Sequence, residues 1–133
     1  MLRGRYSLVT VVFALSFLLI QCERTRHTQH IGEWSGVDSI GTVGNLVFEK
    51  NGTGKITQGD TSATCKYTID YSKRPIWLDI ILTENGQEVP MKLIVEFLDR
   101  NTIRLRTFFD ESRPIEFLEQ DPKHTIVLRR VGA

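Results

Sequence analysis

From Leu46 onward the chain repeats apolar residues at every second position, the period of half-buried strands rather than of helices. Leu46 and Phe48 alternate with Val47 and Glu49. Asn51-Gly52 then marks a tight hairpin turn, because both residues tolerate positive φ. Lys55 to Gln58 returns as a second strand. Ala63, Cys65, Tyr67 and Ile69 alternate with Thr64, Lys66, Thr68 and Asp70. Ile76, Leu78, Ile80 and Leu82 continue the pattern, with Trp77, Asp79 and Ile81 on the other face. Asn85-Gly86 is a second turn, and Met91, Leu93, Val95 and Phe97 alternate after it with Lys92, Ile94, Glu96 and Leu98. Asp99-Arg100-Asn101 turns into Ile103, Leu105 and Thr107. Thr125 to Val131 and Glu33 to Ser39 supply the last and first strands. Helical turns are expected only near Gln29 to Glu33 and Pro114 to Leu118.

About eight short strands joined in sequential hairpins predict an all-β fold, a single antiparallel up-and-down β-barrel. Closure removes the exposed edges that such strands would otherwise carry. Eight strands enclose an interior that side chains fill or share with one small ligand.

The N-terminus has a different pattern. Arg3 and Arg5 precede an uncharged stretch, and Leu8 to Ile20 is an almost wholly apolar run of 13 residues. A membrane-spanning helix needs roughly 20 residues, so an export signal fits better. The run ends Leu19-Ile20-Gln21-Cys22, which resembles the lipobox of bacterial lipoproteins. Gln21 stands where Gly, Ala or Ser is usual. The resemblance implies that Cys22 is diacylated and anchors the chain to a membrane of the bacterial envelope. Two acyl chains hold stably, at about 0.8 kcal/mol per buried methylene. A secreted or periplasmic soluble protein, or an uncleaved anchor, are the alternatives. The expected organisation is a signal peptide over 1–22, a polar tether over 23–30 and a barrel domain over 31–133.

A second resemblance covers the barrel. Gly32-Glu33-Trp34 with Gly36 looks like the opening G-x-W motif of lipocalin-like domains. Leu46-Val47-Phe48 with Asn51-Gly52-Thr53, Tyr67-Thr68-Ile69-Asp70, Pro75, Leu78-Asp79-Ile80, Leu105-Arg106, Arg113-Pro114-Ile115-Glu116-Phe117 and Leu128-Arg129-Arg130 follow in order. Together they resemble a small lipocalin-like family that is abundant in planctomycetes and uncharacterised in function. Leu93-Ile94-Val95 and Thr107 depart from the family's usual Gly-Ile-Tyr and cysteine. The resemblance implies a calycin-like barrel and transfers no catalytic residue. In such barrels the first-strand Trp, here Trp34, plugs the closed end, and a basic residue of the last strand covers it. Arg129 and Arg130 are the candidates. Arg113, Pro114 and Phe117 are expected in a loop folded over a barrel end.

Composition adds exclusions. The 133 residues suffice for one domain. Seventeen basic and 16 acidic residues leave no basic field for nucleic acid. Without residues 1–22 the net charge is −1, so no polybasic patch assists membrane attachment. Two cysteines make no disulfide scaffold, and Cys65 reads as a buried thiol acting as a small hydrophobe. His27, His30 and His124 lack metal-site spacing, so neither a metal nor a cofactor is expected. No nucleophile elbow, P-loop or dinucleotide fingerprint is present, and the chain reads as a non-enzyme.

The residues therefore point to a lipid-anchored barrel that binds a small apolar ligand. Its candidate cavity residues are Phe48, Cys65, Tyr67, Leu78, Ile80, Leu93, Val95 and Leu105. The alternative is a solid barrel that docks an envelope protein through the outward Trp77, Ile81, Ile94 and Phe108. A monomer is expected in either case.

Overall fold

The computed structural model describes residues 27–38 and 40–133. The export segment, Cys22 and Ser39 lie outside the described residues. The chain divides into two units, 1–30 and 31–133. The second contains eight strands: β1 (Gly32–Val37), β2 (Val43–Phe48), β3 (Thr53–Gln58), β4 (Thr61–Asp70), β5 (Ile76–Glu84), β6 (Gln87–Asp99), β7 (Thr102–Thr107) and β8 (Thr125–Arg130). Each pairs antiparallel with the next, and β8 returns to β1, closing an up-and-down barrel. All eight strands and the hydrophobic core belong to this unit, so it holds what a domain needs to fold alone.

The turns form where the sequence marks them. Gly52 adopts φ +83°, and Asn51 Oδ1 accepts from the Thr53 amide. Asn85 and Gly86 both take positive φ, 51° and 75°, which matches a type I′ hairpin and the right-handed twist of its strands. The strand β6 is longer than the alternation suggests, because it begins before Pro90. Pro90 pairs with Ile81 of β5, whereas the pairing of β6 with β7 begins only at Leu93. The proline therefore lies on a stretch with one strand neighbour, where its missing N–H breaks no second ladder.

The register sorts the interior by height. At the end holding the start of β1 and the end of β6, aromatics fill the barrel. Trp34 is fully buried and 6.4 Å from Phe97, Phe97 stacks on Tyr71, and Phe48 packs edge-on against Tyr67 at 4.8 Å. At the other end the inward positions include Gly44, Ala63 and Thr107. Large rings fill one half, and small side chains leave room in the other.

Segment 108–123 is neither helical nor a cap over a barrel end. It runs as a strap across the outer wall of β5, β6 and β7. Arg113 Nη1 donates to the Leu93 carbonyl at 2.8 Å, and Nη2 donates to Asp79 Oδ1. Its guanidinium also lies 4.4 Å from the Trp77 ring. Pro114 is fully buried, and Phe117 packs under the Arg104 guanidinium at 4.3 Å. The expected barrel-end placement of Arg113, Pro114 and Phe117 is thus corrected to the wall. The expected exposure of Ile94 is corrected too. It points outward from β6 yet is fully buried, on the wall that the strap crosses.

Candidate functional site: an apolar cavity at the open end

A cavity of about 340 Å³ opens at the end opposite Trp34. Its walls come from β2, β3, β5, β6, β7 and β8. Leu46, Ile80, Leu93, Leu105, Ile126 and Leu128 form the apolar interior. The volume falls within the range of small-molecule sites. At roughly 30 Å³ per water-sized group, it accommodates about eleven non-hydrogen atoms.

Of the eight residues expected in the cavity, Ile80, Leu93 and Leu105 line it. Phe48, Cys65, Tyr67, Leu78 and Val95 are buried in the packed core instead. Alternation identifies an inward side chain but not its height in the barrel, which is why the two groups were merged. Ile56, Met91, Ile126 and Leu128 are lining residues that the candidate set lacked. Their inward parity was visible; their level was not.

Gly44 explains part of the space. It is adjacent to Leu46 in parity and lines the cavity. A Cβ built there would meet only the Thr57 carbonyl, at 3.5 Å. Gly36, opposite Gly44 in the β1–β2 ladder, is different. A Cβ there would lie 2.5 Å from the Val127 carbonyl, so glycine is required for β8 to close on β1.

The mouth is polar and asymmetric. On one side Asp38 sits in the β1–β2 connection. Its Oδ1 accepts from the Ile40 and Thr42 amides, and its Oδ2 from Gln58. The bond from the Thr42 amide is the chief cause of its pKa lying below the ordinary aspartate value. On the other side, Thr107, Phe109, Lys123 and His124 line the opening where the strap leaves β7 and enters β8. Thr107 is buried, and its Oγ1 accepts from the Phe109 amide. Phe109 is held at φ +59°, a conformation a bulky residue rarely adopts, and remains 69% exposed at the rim.

Below this side lies a charged cluster. Asp121 Oδ2 accepts a hydrogen bond from Arg106 Nε at 2.8 Å, and Arg106 Nη2 forms an ion pair with the same oxygen at 2.8 Å. Its Oδ1 is 2.9 Å from His124 Nδ1, and Arg106 also donates to the Glu116 carbonyl. Burial works to raise the Asp121 pKa, but the bonds and charges of Arg106 and His124 outweigh it and leave the pKa lowered. This cluster pins both the strap and the start of β8 beside the mouth.

The remaining sequence candidates are structural in their surroundings. Arg130, not the exposed Arg129, covers Trp34, with its guanidinium 4.2 Å from the ring centroid. Cys65 is free and buried, and burial raises its pKa. Trp77 is 40% exposed and flanked by Lys73 and Arg113. Ile81 is 37% exposed, and Phe108 packs against His124 and Arg106. Among the described residues no cluster of His, Cys, Asp or Glu is arranged to hold a metal ion, and no helix is long and apolar enough to cross a membrane.

No family model and no curated protein matches the chain. Among solved structures, the crystal structure of pallilysin from Treponema pallidum is similar, with a TM-score of 0.55. The match covers 92% of this chain and 97% of that one, at 12% identity. At that identity the likeness shows a shared β-barrel fold and nothing finer.

Proposed function

We propose that this protein is an exported, lipid-anchored, lipocalin-like barrel of the bacterial envelope that binds a small apolar ligand in its open end. The carrying observation is the 340 Å³ cavity with aliphatic walls. An eight-stranded barrel can be filled completely by side chains, and this one is filled only where its aromatics cluster. An apolar space of this size is a standing site for an apolar ligand. The anchor rests on the sequence alone: an apolar run followed directly by Cys22.

The solid-barrel alternative draws on Trp77, Ile81, Ile94 and Phe108. Trp77 is already engaged by two cations, and Ile94 is covered. Neither favours a protein-docking face over the cavity.

The test is a native mass spectrum of polypeptide 27–133, which retains the whole barrel, purified without denaturant or detergent. A non-covalent adduct of a few hundred daltons, released on denaturation, is the expected result. A bare mass, together with no uptake of added N-phenyl-1-naphthylamine, overturns the ligand reading. Metabolic labelling with a radioactive fatty acid, lost in Cys22→Ser, tests the anchor separately.

A further inference from the structure

We infer that Pro90 keeps the barrel monomeric, by blocking a stretch of β6 edge that is otherwise complementary to the same edge of a second copy. Three observations carry it, and none depends on the proposed ligand.

The first is an open edge beside the mouth. β6 pairs with β5 from Gln87 to Val95, whereas its pairing with β7 starts only at Leu93. The stretch from Gln87 to Lys92 therefore has one strand neighbour, and Met91 within it lines the cavity. Glu84 and Gln87 pair across the turn made by Asn85 and Gly86, and backbone bonding alternates from there. Val89 and Met91 direct their N–H and C=O groups at β5. Glu88, Pro90 and Lys92 direct theirs to the open side, where among the described residues no backbone bond from another segment meets them. All three residues are exposed.

The second is self-complementarity. Antiparallel pairing of this edge with a twofold-related copy, centred on residue 90, sets Glu88 opposite Lys92 of the second copy and Lys92 opposite its Glu88. Opposite charges directly across a ladder stabilise it. On the other face Val89, 39% exposed, stands opposite Met91 of the second copy. Neither Glu88 nor Lys92 is spent within the chain. Asp79, across from Lys92 on β5, is engaged by Arg113.

The third is the residue at the centre of that register. In proline the ring Cδ takes the place of the amide hydrogen. At position 90 it projects to the open side, against the carbonyl that an added strand would bring there. Exposed edges invite pairing with other chains, and a proline on the edge prevents it. The centre of the charge-matched register is thus the one position that cannot pair.

Sedimentation velocity of polypeptide 27–133 over a concentration series tests this, with reductant present to keep Cys65 a thiol. The wild-type sequence is expected to stay monomeric. Pro90→Val restores the N–H in a side chain that suits a strand and should strengthen self-association at least about tenfold. Lys92→Glu added to Pro90→Val sets like charges opposite each other and should return the monomer. Adding Glu88→Lys as well should restore the dimer. Pro90→Thr supplies the same N–H, so a folding defect peculiar to valine does not decide the outcome. A wild-type dimer, monomeric Pro90→Val and Pro90→Thr, or association indifferent to Lys92→Glu each overturns the inference.

Discussion

The guanidinium of Arg130 lies 4.2 Å from the ring centroid of Trp34, joining the last strand to the first across the barrel seam. Arg130 also donates to the Ile31 carbonyl at 2.8 Å and the Arg100 carbonyl at 3.3 Å. One side chain thus ties three chain segments around a fully buried indole. Trp34→Ala should cost about 3–5 kcal/mol, since it opens a cavity the size of the largest side chain in the core. Arg130→Met keeps the aliphatic cover and should cost about 1–2 kcal/mol through the lost cation–π contact and carbonyl bonds. Urea unfolding of both variants measures the difference; equal costs would show that Arg130 does more than cover the ring.

Gly44 offers a direct handle on the cavity. It lies in a strand without positive φ, and its Cβ direction is open. Gly44→Leu should fill part of the space, lower affinity for N-phenyl-1-naphthylamine at least about tenfold and leave stability unchanged or higher, because a strand glycine is itself costly. Probe fluorescence and a thermal melt read both effects. Unchanged probe affinity would place the probe elsewhere.

Besides the Arg106–Asp121 cluster, the strap is anchored by Arg113, whose side chain is 13% exposed, with Asp79 at 46%. Exposure screens the ion pair, so the carbonyl bond to Leu93 carries more of the effect. Arg113→Ala should cost about 1–2 kcal/mol and make the 108–123 segment a site of early proteolysis. Limited digestion with mass mapping is the check. An unchanged digestion pattern would assign the anchoring to Pro114 and Phe117.

Asp121 should make stability acid-sensitive. Its pKa is lowered in the folded state, so its contribution is complete above the ordinary aspartate value near 3.8 and is lost as pH falls through the lower folded value. Asp38, Asp70 and Asp110 are lowered as well and act with the same sign. These carboxylates should therefore withdraw stability below about pH 4, after an earlier decline from about pH 6.5 downward as protonation opposes the burial of His30, whose pKa desolvation lowers to about 4. Asp121→Asn should be less stable at pH 7 and show a shallower acid decline. A parallel decline would remove Asp121 from the account.

Cys65 should be unreactive while the barrel is folded. The thiolate is the reactive form, and burial pushes this thiol's pKa up. Labelling by 5,5′-dithiobis(2-nitrobenzoate) should be slow in buffer and immediate in urea. Fast labelling of folded polypeptide 27–133, in which Cys65 is the single cysteine, would show that the barrel opens there.

Local sequence was enough for the strands, their hairpin order and the closed barrel. Alternation over Ala63 to Asp70 and Ile76 to Leu82 assigns inside and outside residue by residue, and Asn51-Gly52 and Asn85-Gly86 set where the chain reverses. These are properties of neighbours along the chain. The height of each inward residue is not. It depends on the register of all eight strands, so Leu93 lining the cavity and Val95 packed below it read alike in sequence. The strap was illegible for the same reason. Arg113 meets Asp79 across 34 positions, and no periodicity foretells that a polar loop will cover Ile94. Long-range geometry therefore separated the filled half of the barrel from the open one, because only the closed sheet decides which large and small side chains share a level.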